Sequence, residues 1–431
     1  MDSLAKAEGR YIGSRSALAV LVVLLFLYIV YNMDRSLLSV VLQAIKEDLR
    51  LTDAQIGSLQ TIFYAVFGIF VLPCSIVVDR WSRRKSIGTM AVVWSLALIF
   101  LSMATRYLHM ALGVCVMGVA QAGFTAGCIT WLSLTFEKHA RARFIGIFNI
   151  GIPLGAAVGL LAGGVLVTFF DSWRAPFVLF GFAGLILGPI TFGLRDYATL
   201  ANEHSAVLGR QFRADLVGIF KTRTFVFNAV GTSLWLFLSI GFLSWLPSLL
   251  IRTYGMNEAG AGLVVGMISL VSIVAAPMGG IAADAWQRRS VRGRMLWPVF
   301  TLSVATVFMV GAITIVGCPL VLFIMLGLSY SFFSVAGLPA LWSIMADVVT
   351  PGLRSSANGI NGMIVALLGT AWGSVVIGAI SDGLGGGASG LKYAILMVSP
   401  VGLLSALVIF LGSRYYHQDS SRISDEVVSE K

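Results

Sequence analysis

The sequence predicts an all-α polytopic membrane protein, with about twelve transmembrane helices in two pseudo-symmetric six-helix bundles. Three observations carry this expectation. Of the 431 residues, 58% are hydrophobic and 12% charged, against roughly 45–50% and about 25% in soluble domains. Apolar runs long enough to cross a bilayer, about 20 residues, recur along nearly the whole chain. A loop also repeats: SIVVDRWSRRKS at 75–86 and GIAADAWQRRSV at 280–291 both read small-x-x-x-Asp-x-Trp-x-Arg-Arg, with Asp79 matching Asp284. A closed barrel would need short alternating strands, and runs such as ALAVLVVLLFLYIV do not alternate.

The first span, 17–42, is too long for a signal-peptide core and reads as a retained helix. The second, 54–78, ends on the first copy of the repeated loop. The third, 86–105, follows that loop's basic cluster, and the fourth, 109–134, follows a short polar break. The fifth, 145–170, carries Gly151, Gly155, Gly159 and Gly163 at spacings of four, a flat face for close helix packing. The sixth, 175–195, closes the first half. The remaining six lie at 224–250, 259–283, 295–316, 319–345, 357–381 and 391–413. The bundles are therefore 1–195 and 224–413. In the linker between them, 196–223, Phe212, Leu216, Ile219 and Phe220 share one helical face, which predicts a short amphipathic helix on the membrane surface. The tail, 414–431, is polar from about Ser420 and is expected to be disordered.

An even number of spans puts both termini on one side, and basic residues select it. Of the 30 Lys and Arg, only Lys46, Arg50, Arg106, Arg174, Arg252 and Lys392 fall opposite the termini, and Arg35 lies within the bilayer. The termini are therefore cytoplasmic, in a cell (inner) membrane. The net charge of +10 reflects that loop bias and not nucleic acid. Cys74, Cys115, Cys128 and Cys318 lie in or beside apolar segments with no CxxC or Cys/His spacing, so no metal, redox centre or cofactor is expected. His109, His139, His204 and His417 lie at span ends, in loops or in the tail, and neither a nucleophile–base–acid set nor a nucleotide-binding loop is present. The chain reads as neither an enzyme nor an ATP-driven pump.

Asp34 and Arg35 stand side by side in the first span, within YNMDRSLLS. A charge at a helix centre costs about 2.5–3.5 kcal/mol on insertion scales. The eleven Leu, Ile, Val and Phe residues from Leu18 to Val30 return roughly 0.3–0.6 kcal/mol each. The helix inserts, but the pair consumes much of the margin. Intramembrane charges usually mark pathways; the structural alternative is an ion pair locking the helix to a neighbour. At about 3.6 residues per turn, Tyr28, Asn32, Arg35, Ser39 and Gln43 share one stripe, and Asp34 lies off it with Tyr31 and Leu38. Arg35 is expected to face a polar cavity, where its planar fork suits a carboxylate or phosphate. Asp34 is expected to point toward a neighbouring helix. Gln121, Thr125 and Cys128 align in the fourth span, and Asn228, Thr232, Trp235 and Ser239 in the seventh. Tyr330 and Ser334 in the tenth span and Asn361 in the eleventh extend the candidate substrate site; ordinary hydrogen bonding between helices is the alternative for the small residues.

The repeated loop resembles the signature of the major facilitator superfamily, Gly-x-Leu-Ala-Asp-Arg-x-Gly-Arg-Arg, with Ser75 and Ser82 in place of its glycines. Within that superfamily the chain is similar to the bacterial Spinster-like branch, on NMDRSLLS, ARARFIGIFNIGIPLG, FLSWLPSLLIRTYGMNEAGAG and LKYAILM. The resemblance implies the major facilitator fold and transport of lysophospholipids or sphingoid lipids, often with protons. It also implies a gate on the cytoplasmic side at Asp79, Arg80 and Arg83, repeated at Asp284 and Arg288, with Asp79 reaching the eleventh helix near Ser355 and Ser356. The alternative is a solvated charge cluster serving only topology. The branch usually places an Arg and a Glu in the fourth helix where Val114 and Gln121 stand.

The function expected is a secondary active transporter with alternating access, moving an organic anion or amphipathic lipid-like solute and coupled to protons. Arg35, Asn32, Tyr28, Gln121, Thr125, Asn228, Trp235, Ser239, Tyr330 and Asn361 would bind substrate, and Asp34 would carry the proton. The partners are a small-molecule substrate, the proton and the lipid bilayer, and the working unit is a monomer. A proton-independent facilitator, or a transporter-fold receptor that moves nothing, are the alternatives.

Overall fold

The structure, a computed structural model, describes residues 14–195 and 218–429 except 316, 318 and 351–353. These residues include twelve helical segments long and apolar enough to cross a membrane, and no strand. The segments are Ser16–Leu49, Asp53–Val78, Arg83–Ser102, Tyr107–Thr135, Arg143–Phe170 and Arg174–Gly193, then Arg223–Tyr254, Glu258–Arg289, Gly293–Thr314, Leu320–Met345, Ala357–Gly383 and Gly387–Ile423. Each matches an expected span. The first outruns the apolar stretch because its polar end continues the helix, with Lys46 in the last turn complementing the helix dipole. The twelfth likewise runs on past the expected boundary, and its helix continues to Ser429, where a disordered tail was expected. Most of the predicted amphipathic helix, including Phe212 and Leu216, lies outside the described residues.

Hydropathy does not show the irregularities. The fourth span is broken at Ala122–Gly123, between helices Tyr107–Gln121 and Phe124–Thr135. The eleventh contains a π-helical turn, Val365–Thr370. Such turns are rare and recur at functional sites.

The chain forms two compact units that cut across the second and eighth spans. The first comprises Met1–Leu51, Ala65–Ala201 and Asn257–Gly266. Here the first span lies along the fifth and the third along the sixth. The glycine stripe forms the seam: Gly155 meets the Ile29 carbonyl and Gly159 meets Met33 and Ser36. A side chain at Gly155 has nowhere to go, whereas Gly146 has nothing within 4 Å of an added Cβ. Gly155→Leu is therefore expected to cost stability, overpacking being worth ~1–3 kcal/mol. A melting curve in detergent checks this, with Gly146→Leu unchanged.

The second unit comprises Thr52–Tyr64, Asn202–Met256 and Met267–Lys431. The seventh span packs on the twelfth and on the π turn of the eleventh, and the ninth packs on the tenth and twelfth. An ion cluster ties four of its helices together. Arg294 of the ninth span reaches Asp284 of the eighth at 2.6 Å and Asp347, at the end of the tenth span's last helix, at 2.7 Å. Tyr416 of the twelfth donates to Asp347 at 2.7 Å.

Candidate functional site

In the first unit the site is built on one stretch of the first span. Tyr28 stacks on Phe148 with centroids 4.2 Å apart. The Asn32 amide donates to the Tyr28 carbonyl at 2.7 Å. Tyr31 stacks on Phe124 at 5.2 Å and meets Trp94 edge-on. Aromatic packing thus holds one side of this helix rigidly.

Asp34 and Arg35 have separate surroundings, as helical phase requires. Asp34 is 1% exposed, and neither carboxylate oxygen has a hydrogen-bond partner among the described residues. Arg35 is half-buried. Its Nη1 donates to the Tyr31 hydroxyl at 3.2 Å, and its guanidinium carbon lies 5.1 Å from the Tyr31 ring centre and 4.9 Å from that of Phe67. Tyr31 is therefore the partner of Arg35, which corrects the helical-wheel placement of Tyr31 beside Asp34. A long side chain leans toward the helix N-terminus, and the guanidinium reaches the residue one turn back. Phe67, from the second span, carried no sequence signal because an isolated Phe in an apolar run reads as lipid-facing.

Gln121 is fully buried, with neither amide atom partnered among the described residues. The break at Ala122–Gly123 separates it from Thr125 and Cys128, so the three do not share one unbroken helix as their spacing suggested. Val114 is fully buried.

In the second unit the seventh and tenth spans come together. The Tyr330 hydroxyl donates to Ser239 Oγ at 3.1 Å, and Ser239 shares a 3.4 Å hydrogen bond with Ser334. Phe242 meets Tyr330 edge-on at 5.0 Å, and Trp235 lies tilted against it at 6.4 Å. Asn228 donates to the Leu341 carbonyl at 3.0 Å. Its Oδ1, Thr232 Oγ1, Trp235 Nε1 and Asn361 Oδ1 are buried without partners among the described residues. Native interiors leave few buried polar atoms unpaired, yet Asp34, Gln121, Asn228, Trp235 and Asn361 all do so. All five were candidate site residues of the sequence, and each has the capacity to bind a polar group that reaches it.

The expected gate divides. The side chains of Asp79, Arg80, Ser355 and Ser356 lie outside the described ones. Arg83 is buried at the head of the third span. Asp284 pairs with Arg294 and not with Arg288, which is exposed. The cause is that Arg294 is anchored by its own backbone N–H to Gln287 Oε1 at 2.8 Å and serves two carboxylates at once.

A family model for the Major Facilitator Superfamily matches residues 24–374. The chain belongs to the Major Facilitator Superfamily. It is 27% identical over 421 residues to an MFS-type efflux pump of Mycolicibacterium smegmatis, covering 94% of this chain and 95% of that one. It is 24% identical to the sphingosine-1-phosphate transporter SPNS2 of Danio rerio, covering 93% and 84%. It is also 24% identical to the hexuronate transporter of Bacillus subtilis, covering 86% and 90%. A solved structure of a bacterial homolog of the human lysosomal transporter Spinster superposes with a TM-score of 0.82 at 20% identity, over 95% of this chain and 99% of that one. The superfamily member described here is thus a multi-pass membrane protein of a transporter family with Spinster-like relatives, and its named relatives are transporters and not enzymes.

Proposed function

We propose that this protein is a secondary active transporter for an organic anion or anionic amphipath, coupled to protons, with its termini on the cytoplasmic side of the cell membrane. The observation that carries the reading is the separation of Asp34 from Arg35. A guanidinium that keeps its charge and is not neutralised by the adjacent carboxylate can take an anionic group through two parallel hydrogen bonds. A buried carboxyl group with no partner can take up and release a proton as its surroundings change. The relatives support the anion: hexuronate, L-galactonate and sphingosine-1-phosphate, the cargoes in three of their names, all carry a carboxylate or phosphate. In this reading the six-span halves, 1–195 and 224–413, give alternating access to the substrate.

Counterflow in proteoliposomes tests the reading, with galacturonate, galactonate and sphingosine-1-phosphate offered separately. Exchange of at least one of them is expected; ligand-induced stabilisation without counterflow would point to a receptor instead. Phe67→Leu is expected to weaken the apparent affinity for the exchanged anion about twofold to fivefold, a weakly shielded cation–π contact being worth ~0.5–1 kcal/mol.

A second reading rests on Val114 and Gln121, which leave the fourth span without charge. A facilitator that runs without protons needs only the Arg35 side of the site. The response to a pH gradient separates the two.

A further inference from the structure

The second unit holds a cavity apart from the candidate substrate residues. Its volume is about 300 Å³, the lower end of small-molecule sites, which run roughly 300–1,000 Å³. The ends of the seventh and ninth spans and the starts of the tenth and twelfth enclose it, so it lies on the face opposite the termini. Leu249, Ala312, Ile313 and Phe323 form its buried interior. Tyr254 closes one side, its ring edge-on to Phe323 at 5.6 Å. Thr253 and Ile315 stand exposed at the rim.

Lys392 is the one charged side chain on the lining among the described residues, and it has no ion pair among them. Other cations of this face are already committed: Arg252 pairs with Asp53 at 2.7 Å and Arg174 with Asp48 at 2.9 Å. Two helix C-termini and two helix N-termini meet at the cavity, so their dipoles largely offset, and Lys392 sets the sign of the site. Its depth follows from its neighbours. Tyr393, next to Lys392, is exposed, and tyrosine and lysine at span ends settle at the headgroup level of a bilayer. Ile315 and, at the start of the tenth span, Val321 and Leu322 are exposed apolar side chains that suit hydrocarbon.

We propose that this cavity binds an anionic phospholipid of the surrounding bilayer, with its phosphate on Lys392 and one acyl chain in the apolar interior. A chain that leaves hydrocarbon for the cavity gains little hydrophobic free energy. It contributes by packing against walls that otherwise lack partner atoms. The contact between Lys392 and the phosphate therefore decides which lipid is held. A dissolved organic anion fits poorly, because four apolar side chains fill the depth of the site and the cation stands near the headgroup level. The proposal does not rest on the transport reading.

The experiment uses the full chain in nanodiscs of phosphatidylcholine, photolabelled with phosphatidylglycerol that carries a diazirine on one acyl chain. Mass spectrometry maps the labelled residues. Labelling is expected to concentrate on Leu249, Ile313 and Phe323. A phosphatidylcholine probe with the same chain should label them about fivefold less, the factor that one lysine near a membrane surface commands. Lys392→Gln should bring the phosphatidylglycerol probe down to that level, and Lys392→Arg should keep it at the parent's. Ala312→Phe, which fills the interior, should remove labelling at Leu249 and Ile313 and leave it unchanged at Val307, an exposed residue of the ninth span. Labelling of Leu249, Ile313 and Phe323 no stronger than that of Val307 would overturn the site. Equal labelling by the two probes, or an unaltered pattern in Lys392→Gln, would overturn the anionic lipid. Displacement of the probe by free glycerol phosphate would do so too, and would give the site to a dissolved anion. If Ala312→Phe fails to fold, the Lys392→Gln and Lys392→Arg pair, at a half-buried position, decides the matter.

Discussion

Replacing Asp34 with Asn is expected to abolish the acceleration of transport by an inward or outward proton gradient, while exchange without a gradient continues. Asparagine has nearly the same size and cannot lose a proton, so it isolates proton exchange from packing. The site favours a clean result. Asp34 is 1% exposed and neither of its carboxylate oxygens is partnered among the described residues, the adjacent Arg35 included, so the substitution strands no buried cation. Removing half of a buried pair typically costs about 3–5 kcal/mol; that penalty does not arise here. The measurement is counterflow and gradient-driven uptake in proteoliposomes at several imposed pH differences. If the Asn variant responds to the gradient as the parent does, Asp34 has no coupling role and the facilitator reading takes its place.

Arg35→Gln is expected to raise the apparent Kd for an anionic solute about 10- to 100-fold, since hydrogen bonds to a charged group are worth about 1.5–3 kcal/mol and each 1.4 kcal/mol is roughly tenfold. Arg35→Lys should recover only part of this, because an ammonium keeps the charge but loses the planar fork and the stacking between Tyr31 and Phe67. Titration calorimetry, or competition against the exchanged anion, reads the difference. A loss in Arg35→Gln that is equal for neutral and anionic solutes would show that Arg35 shapes the site without binding the charge.

The two substitutions test different halves of one dipeptide, and the structure makes that possible. In YNMDRSLLS the two charges are neighbours in sequence, and a self-neutralising pair is the simplest reading. About 100° of helical rotation between neighbours, from 3.6 residues per turn, sends them into different surroundings. The phase of Asp34 and Arg35 was legible from spacing alone. The partner of Arg35 was not: Tyr31 sits between the two faces on a helical wheel, and only the reach of the guanidinium along the helix axis assigns it. Phe67 comes from another helix, and no pattern within the first span could point to it.

The candidate site shows the same division. Spacing picked out Gln121, Asn228, Trp235 and Asn361 because a polar side chain in an apolar helix is conspicuous on its own. It joined Gln121 to Thr125 across a helix break at Ala122–Gly123 that hydropathy does not register. The resemblance grouped Asp284 with Arg288 in a gate, whereas Arg294 bridges Asp284 to Asp347 from the next helix. A surface charge has many possible partners within one turn, and the choice among them is made by whichever side chain another helix holds in place.

The sequence by itself determined the membrane-spanning helices, the repeat of two halves and the residues whose polarity is out of place in lipid. Each follows from local chemistry: burial of apolar side chains in hydrocarbon, internal pairing of backbone groups and the cost of intramembrane charge. Only the tertiary structure decided which units the leading turns of the second and eighth spans join, and that Asp53 pairs with Arg252 while Glu258 has no ion pair among the described residues. Those outcomes depend on side chains arriving together from helices far apart in the chain, and the separation of Asp53 from Arg252 by 199 residues leaves no trace in any local pattern.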